Sequence, residues 1–173
     1  MDAYLAVVSK REVRAYDGRP IAADAVRRIL EAGRLAGSSR NRQNRRFVVL
    51  TDPDLIRRAA EGVFSPANVT GAPLVVVVLV RGKGPVAFDA GRAAQNMMLA
   101  AWNEGIGSCP NGIGEGDLLA EAIGYGPDEE AVIVLGFGHP ARPRDPEDRS
   151  ADEWIAAADR RPFDEVVDHL SGS

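Results

Sequence analysis

The sequence predicts an α+β fold, an α/β sandwich, and three observations carry the prediction. Segments with apolar residues at helical spacing alternate with short strands in the order α, α, β, α, β, α, β, α, β. The longest apolar run, Leu74–Val80, shows no alternation and reads as a strand covered on both faces; it falls far short of the roughly 20 residues a membrane-spanning helix needs. No internal repeat and no linker interrupts the 173 residues, which read as a single domain, 1–173.

Residues 2–9 read as a short helix, with Met1, Leu5 and Val8 at helical spacing, followed by a basic turn at Lys10–Arg14. Gly18 and Pro20 break the chain. Pro20-Ile21-Ala22-Ala23-Asp24 opens the second helix, with Asp24 suited to its first turn; Val26, Ile29, Leu30 and Gly33 form its stripe, and Gly37-Ser38-Ser39 ends it. Phe47–Leu50 is a strand, and Asp52–Glu61 is a short helix after it. Pro73–Arg81 is a strand of mostly β-branched residues. Phe88–Glu104 is the long helix, with Phe88, Gly91, Gln95, Met98, Leu99 and Trp102 expected near one face and Ala93, Ala94, Ala100 and Ala101 keeping the other faces slim. Gly105–Pro110 turns into a short strand, Asp117–Ile123 is a short helix, and Ala131–Gly136 is the last clear strand. Residues 139–150, rich in proline and charge, read as loop, and Pro162–Leu170 as a moderately amphipathic tail.

Composition removes several function classes. One cysteine, Cys109, excludes an internal disulfide and points to a cytoplasmic setting. One Cys and two His (His139, His169) leave no basis for a structural zinc site, and a Ser-His-Asp hydrolase would have to use one of those two histidines. The net charge of −4 is uneven: residues 1–58 carry 13 Lys+Arg against 7 Asp+Glu, and residues 59–173 carry 8 against 18. An acidic chain with a basic N-terminal third suggests a small anionic ligand held locally by arginines, rather than a nucleic-acid groove. No signal peptide is visible, and no membrane partner is expected.

Four segments could carry chemistry. Lys10-Arg11-Glu12-Val13-Arg14 sets three cations in five residues, which can hold a phosphate through guanidinium forks; alone it reads as a solvated basic turn. Ser38-Ser39-Arg40-Asn41-Arg42-Gln43 offers hydroxyls and carboxamides that both donate and accept, suiting a planar heterocycle or, equally, an ordinary capped turn. Gly105–Gly116 holds five glycines that permit close backbone approach to a ligand, but contains neither a GxGxxG fingerprint nor a P-loop. Arg160-Arg161 before Pro162 is, in isolation, a surface charge run. His139 reads as a turn residue and Cys109 as a small buried apolar one. No triad, dyad or metal cluster is present, so no catalytic side chain and no metal ligand is expected.

The order of these segments resembles the nitroreductase family of flavoproteins over nearly the whole chain. Lys10-Arg11-Glu12-Val13-Arg14-Ala15-Tyr16 is similar to the family's Arg-Arg-Ser-x-Arg-x-Phe start. Gly37-Ser38-Ser39-Arg40-Asn41-Arg42-Gln43-Asn44-Arg45-Arg46-Phe47 is similar to its Pro-Ser-x-x-Asn-x-Gln-Pro-Trp-x-Phe. Pro20-Ile21 with the helix through Gly33, Ala72-Pro73-Leu74 with the valine run, Gln95–Ser108, and Leu135-Gly136-Phe137-Gly138-His139-Pro140 resemble further segments in turn. Arg160-Arg161-Pro162-Phe163-Asp164-Glu165-Val166-Val167 resembles the terminal Arg-x-Pro-Leu-x-x-Val. The resemblance implies a central, mostly antiparallel sheet flanked by helices and a homodimer with FMN at its interface.

It also implies roles by position. Lys10, Arg11, Glu12, Arg14, Arg160 and Arg161 fall among the cofactor contacts, with Lys10, Arg11, Glu12 and Arg161 at the FMN phosphate and ribityl chain. Ser38, Ser39, Asn41 and Gln43 match the loop at the ribityl chain and ring edge, and Pro110, Asn111 and Gly112 the backbone that reaches flavin N5. The implied activity is ping-pong hydride transfer from NADPH or NADH through FMN to a nitroaromatic, quinone or other electron-poor acceptor, with Arg40, Arg42 or Arg45 offsetting negative charge near the ring. Other flavin chemistry on the same fold (dehydrogenation, dehalogenation or flavin cleavage) and a non-catalytic flavin-binding module are the alternatives. Three departures stand out: Glu12 replaces a small hydroxyl residue near the phosphate, Gly37, Asn44 and Arg45 replace Pro, Pro and Trp, and the chain is short.

Overall fold

Strand β2 (Leu74–Arg81) organises the chain, and a computed structural model describes residues 1–170 around it. Every β2 residue except Arg81 is buried, as a strand of valines and leucines without alternation requires. Its neighbours are β1 (Arg45–Leu50) on one side and β4 (Glu129–Gly138) on the other, with β3 (Gly107–Asn111) beyond β4. All pairings are antiparallel, in the order β1-β2-β4-β3.

Helices cover both faces. On one, Leu74, Val76, Val78, Leu135 and Phe137 pack against α2 (Ala23–Arg34) and α5 (Val86–Asn103) through Ile29, Ala94, Met97 and Ala101. On the other, Val75, Val77, Leu79 and Val134 meet α3 (Pro53–Ala60), α4 (Ala67–Thr70) and α6 (Gly116–Ile123). The α2–α5 approach depends on Gly33, where a Cβ would lie 2.8 Å from Met97 Cγ. Helix α1 (Ala3–Ser9) starts where the Asp2 carboxylate accepts the Leu5 N–H, and α7 (Ala151–Ala156) lies against it.

Several expectations need correction. Strand β1 begins two residues before Phe47, and β4 extends beyond Ala131–Gly136 at both ends. The short helices α4 and α7 were not foreseen. In α5 the buried face is Asp89, Ala90, Ala93, Ala94, Met97, Met98, Ala101 and Trp102, whereas Phe88, Gly91 and Gln95 are exposed. Ala93, Ala94 and Ala101 lie in the core, as suits a slim helix packed closely on several sides, and Ala100 is half-buried. The Met- and Ala-rich part of α5 (Ala90, Ala93, Ala94, Met97, Met98 and Ala101) is covered within the chain itself.

Candidate active site

The segment 10–14 reaches the sheet because β3 begins with glycine. A Cβ on Gly107 would sit 2.6 Å from Val13 Cβ, so only a glycine lets this segment lie against β3. There Glu12 pairs with Ser108 as a parallel bridge, and the Val13 N–H donates to Ser108 O at 2.9 Å. Lys10 Nζ donates to Glu12 Oε1 at 2.7 Å and stands 3.6 Å from Met98 Sδ, its side chain only 6% exposed. The carboxylate at position 12 is thus neutralised within the chain. One residue earlier, Ser9 Oγ accepts the Trp102 Nε1–H at 2.9 Å, fastening α1 to the C-terminal half of α5.

Arg11 points the other way. Its Nη1 donates to Val8 O and Lys10 O, its Nη2 to Trp154 O at 2.9 Å, and its guanidinium lies 5.1 Å from the centre of the Trp154 ring. Arg11, Glu12 and Arg14 line a cavity of about 600 Å³ whose remaining wall comes from residues 144–157. Burial lowers the Arg11 pKa, and the charges of Arg160, Arg144 and Arg149 lower it further, so these cations stand close enough to repel. Arg160 and Arg161 themselves do not line the cavity: Arg160 donates to Ala158 O, and Arg161 pairs with Glu165 at 3.2 Å.

At the far end of β3, Pro110 is half-buried, and the Asn111 Nδ2 donates to Cys109 O and Val134 O. Ser108 Oγ and Asn111 Oδ1 are buried with no hydrogen-bond partner among the described residues. The Phe64 N–H donates to Gly112 O, and its ring, 78% exposed, stands over Gly112. Cys109 is buried, and burial pushes its thiol pKa up, as suits an apolar filler and not a nucleophile.

The second candidate group forms a strained turn. Arg40, Asn41 and Gln43 have φ near +53°, a region that costs non-glycine residues about 1–3 kcal/mol each. The surroundings enforce it. Ser38 Oγ accepts the Gln43 N–H, and the Ser39 N–H donates to Asp89 Oδ2 at 3.0 Å, with Asp89 buried on α5. Arg45 clamps the turn's base, donating to Ala36 O, Gly37 O and Asp89 O. Arg42 donates to Lys83 O. Among the described residues, the side chains of Ser39, Arg40 and Asn41 make no hydrogen bond, so the turn presents them outward.

The structure does not gather all candidates in one place. Lys10, Glu12 and Arg14 come together with β3, whereas Ser38, Ser39, Asn41 and Gln43 lie by Asp89, nine residues before Met98 on α5. That spacing is about 13 Å along a helix axis. Sequence reasoning missed Trp154, Arg144, Arg149 and Phe64, for which only an aromatic or basic residue in a polar segment was available as a signal.

The arrangement offers guanidinium groups for an anion, a presented polar turn, and glycine backbone beside an aromatic ring. Among the described residues no three His, Cys, Asp or Glu side chains form a metal-ligand set, and no helix is long and apolar enough to cross a membrane. Sequence comparison matches the Nitroreductase family over residues 7–87 and 67–139. A relative from Archaeoglobus fulgidus, provisionally named NADH dehydrogenase/NAD(P)H nitroreductase, is 27% identical over 149 residues, covering 80% of this chain and 86% of its own length. A crystal structure from Parabacteroides distasonis with the same provisional name superposes with a TM-score of 0.84 over 99% of this chain and 100% of its own, at 19% identity, and establishes the shared fold. A nitroreductase-type protein from Desulfovibrio desulfuricans, solved in complex with FMN, is 27% identical with a TM-score of 0.78, covering 100% of this chain and 99% of its own.

Proposed function

The chain belongs to the nitroreductase family, a family of oxidoreductases, and from that membership we propose that it is an FMN-dependent enzyme oxidising NADH or NADPH and reducing a nitroaromatic, quinone or similar electron-poor acceptor. The observation that carries the reading is the FMN-bound relative spanning the whole chain, taken with a donor set that fits FMN. Arg14 offers its guanidinium group to a phosphate, Arg11 the N–H groups left over from its three carbonyl contacts, and Ser39 and Asn41 offer free polar side chains to hydroxyl and ring-edge groups. FMN, when bound, supplies the acceptor and donor of hydride, so the protein needs no nucleophile of its own.

The remaining work falls to the chain's residues. Lys10 holds the Glu12 charge away from the anion. Gly112 has no side chain to meet the Phe64 ring, whose backbone N–H donates to Gly112 O, and the exposed ring stands ready to pack on a ligand beside β3. Of the three arginines near the turn, Arg45 and Arg42 are engaged with carbonyls, leaving Arg40 to offset negative charge developed at the site. With Glu12 neutralised by Lys10, the charge at position 12 does not speak against FMN binding.

We assign the enzyme as a homodimer in which the 38–43 turn of a second copy completes the site, because the turn and the Lys10–Glu12 segment lie apart on α5. A cytoplasmic setting is supported by the lone, buried thiol.

The test is the visible spectrum of purified, desalted protein before and after anaerobic NADPH or NADH. A yellow protein that bleaches supports the reading. A protein that stays colourless with added FMN overturns it, and one that binds FMN without bleaching overturns the electron donor. Light scattering should give twice the 18.5 kDa chain mass.

A further inference from the structure

We propose that the cavity lined by Arg42, Asn44, Arg81, Gly82 and Asp128, where β1 and β4 begin and β2 ends, receives the 2′-phosphate of NADPH and makes NADPH the preferred electron donor over NADH. The inference deepens the oxidoreductase reading and rests on it. Charge is its starting point. Residues 34–46 hold five Lys+Arg and no Asp or Glu, and residues 81–92 hold three Lys+Arg against one Asp. In a chain of net charge −4, these two segments carry +7 and the remainder −11.

The fold joins the two basic segments. The Arg81 N–H donates to Asn44 O, and Asn44 Nδ2 donates back to Arg81 O, both at 3.1 Å. Arg42 Nη1 donates to Lys83 O at 3.0 Å. Gly84 leaves room for that contact, since a Cβ there would stand 2.8 Å from Arg42 Nη1. One nitrogen thus fixes Arg42 against the loop, and among the described residues its Nε and Nη2 make no hydrogen bond. The exposed side chains of Arg81 and Lys83 have neither a hydrogen bond nor an ion pair among the described residues.

Nearby acids leave this surplus standing. Glu129, opposite Arg81 in the sheet, is held by Arg46 through two hydrogen bonds at 2.8 and 2.6 Å. Glu130 lines a different cavity beside Tyr125. Asp128 is the one carboxylate in the lining, against Arg42, Arg81 and, on the adjoining loop, Lys83. Two positive charges remain, which matches a phosphomonoester at −1.5 to −2.

Position ties the cavity to the donor. Arg42 directly follows the outward-facing Ser39–Asn41, which the reading above places at the flavin of a second copy, so the cavity borders that site. The two dinucleotides differ only in the 2′-phosphate. Guanidinium groups accommodate that phosphate, whereas a carboxylate favours the free 2′-hydroxyl of NADH. Arg42 and Arg81 therefore pull towards NADPH and Asp128 towards NADH, and the arginines prevail by number. The clamped Arg42 is oriented before the dinucleotide arrives.

The test measures kcat/KM for NADPH and NADH, and calorimetric binding of adenosine 2′,5′-bisphosphate and AMP, which differ only in the 2′-phosphate. Wild type, R81Q, R42Q/R81Q and D128N are compared after circular dichroism and thermal midpoints confirm folding. R81Q removes an exposed side chain without a partner and is the variant least able to disturb the fold. Wild type should prefer NADPH. The preference should fall several-fold in R81Q and about tenfold or more in R42Q/R81Q, and rise in D128N. A wild type that prefers NADH, or a folded double variant with the preference unmoved, overturns the cavity and leaves the oxidoreductase reading intact. If the cavity takes the FMN phosphate instead, the FMN-to-riboflavin affinity ratio falls in R42Q/R81Q while the dinucleotide preference holds, and the proposal is overturned. Should neither dinucleotide be oxidised, the oxidoreductase reading fails, and the nucleotide pair still decides. Bisphosphate binding tighter than AMP in wild type and equal to it in R42Q/R81Q supports the cavity, and equal binding in wild type overturns it.

Discussion

The N-terminal end of α5 holds the 38–45 turn through the buried Asp89 carboxylate and the Asp89 carbonyl, whereas its C-terminal half holds segment 9–14 through an indole–hydroxyl hydrogen bond and a thioether contact, beside the pairing of that segment with β3. At the first end the conformation is one the residues resist, with three non-glycine residues near φ +53°. At the second no residue of segment 9–14 has a positive φ, and the fit depends on volume, since Gly107 gives way to Val13. A strained turn persists only where its surroundings over-determine it. Damage at the first end should therefore stay local, while damage at the second should spread into the sheet.

The substitution expected to cost most is Arg45→Met, which strips the donor from three carbonyls at once. Loss of about 2–4 kcal/mol in urea unfolding is expected; a loss below about 1 kcal/mol would show that water replaces the clamp. Gly107→Ala comes next. Its Cβ would stand 2.6 Å from that of Val13, so stability should fall by about 1–3 kcal/mol. FMN affinity should fall with it, and unchanged affinity would detach segment 10–14 from the cofactor.

Asn41→Gly has the opposite sign. At φ +54° it should raise the unfolding free energy by up to about 1 kcal/mol while weakening FMN binding. Stabilisation without loss of binding would mean that Asn41 is not a contact. The smallest perturbation leaves the sequence intact. With Cys109 buried and its thiol pKa raised, a disulfide reagent at pH 8 should label native protein at least about 100-fold more slowly than protein in urea. Fast labelling would show that β3, against which segment 10–14 pairs, opens readily.

Much of this fold is legible in periodicity. The all-apolar β2 announces a strand covered on both faces, and Asp2, Asp52 and Pro53 mark helix starts. Spacing groups Phe88, Gly91, Gln95, Met98, Leu99 and Trp102 on α5 but does not say which of them are covered: Met98 and Trp102 are buried, whereas Phe88, Gly91 and Gln95 are exposed. Helix α7 carried a readable signal, Ser150-Ala151-Asp152-Glu153, but six residues are too few to show a period. The candidate residues were legible in their order along the chain. Their pairings were not: nothing in Lys10-Arg11-Glu12 says that Lys10 will neutralise Glu12 while Arg11 turns to a tryptophan in another segment.

The hydrogen bond from Arg11 to Trp154 joins residues 143 positions apart. A ribosome adding 5–20 residues per second needs about 7–30 s to travel that distance. Throughout that interval the basic segment is already made but lacks α7, and until residue 111 is made it lacks β3 as well, so Arg11 has only its local carbonyl partners, Val8 and Lys10. The acidic residues that bring the whole chain to −4 are concentrated downstream and emerge last. Assembly of this corner thus waits until residues 144–157 have been made.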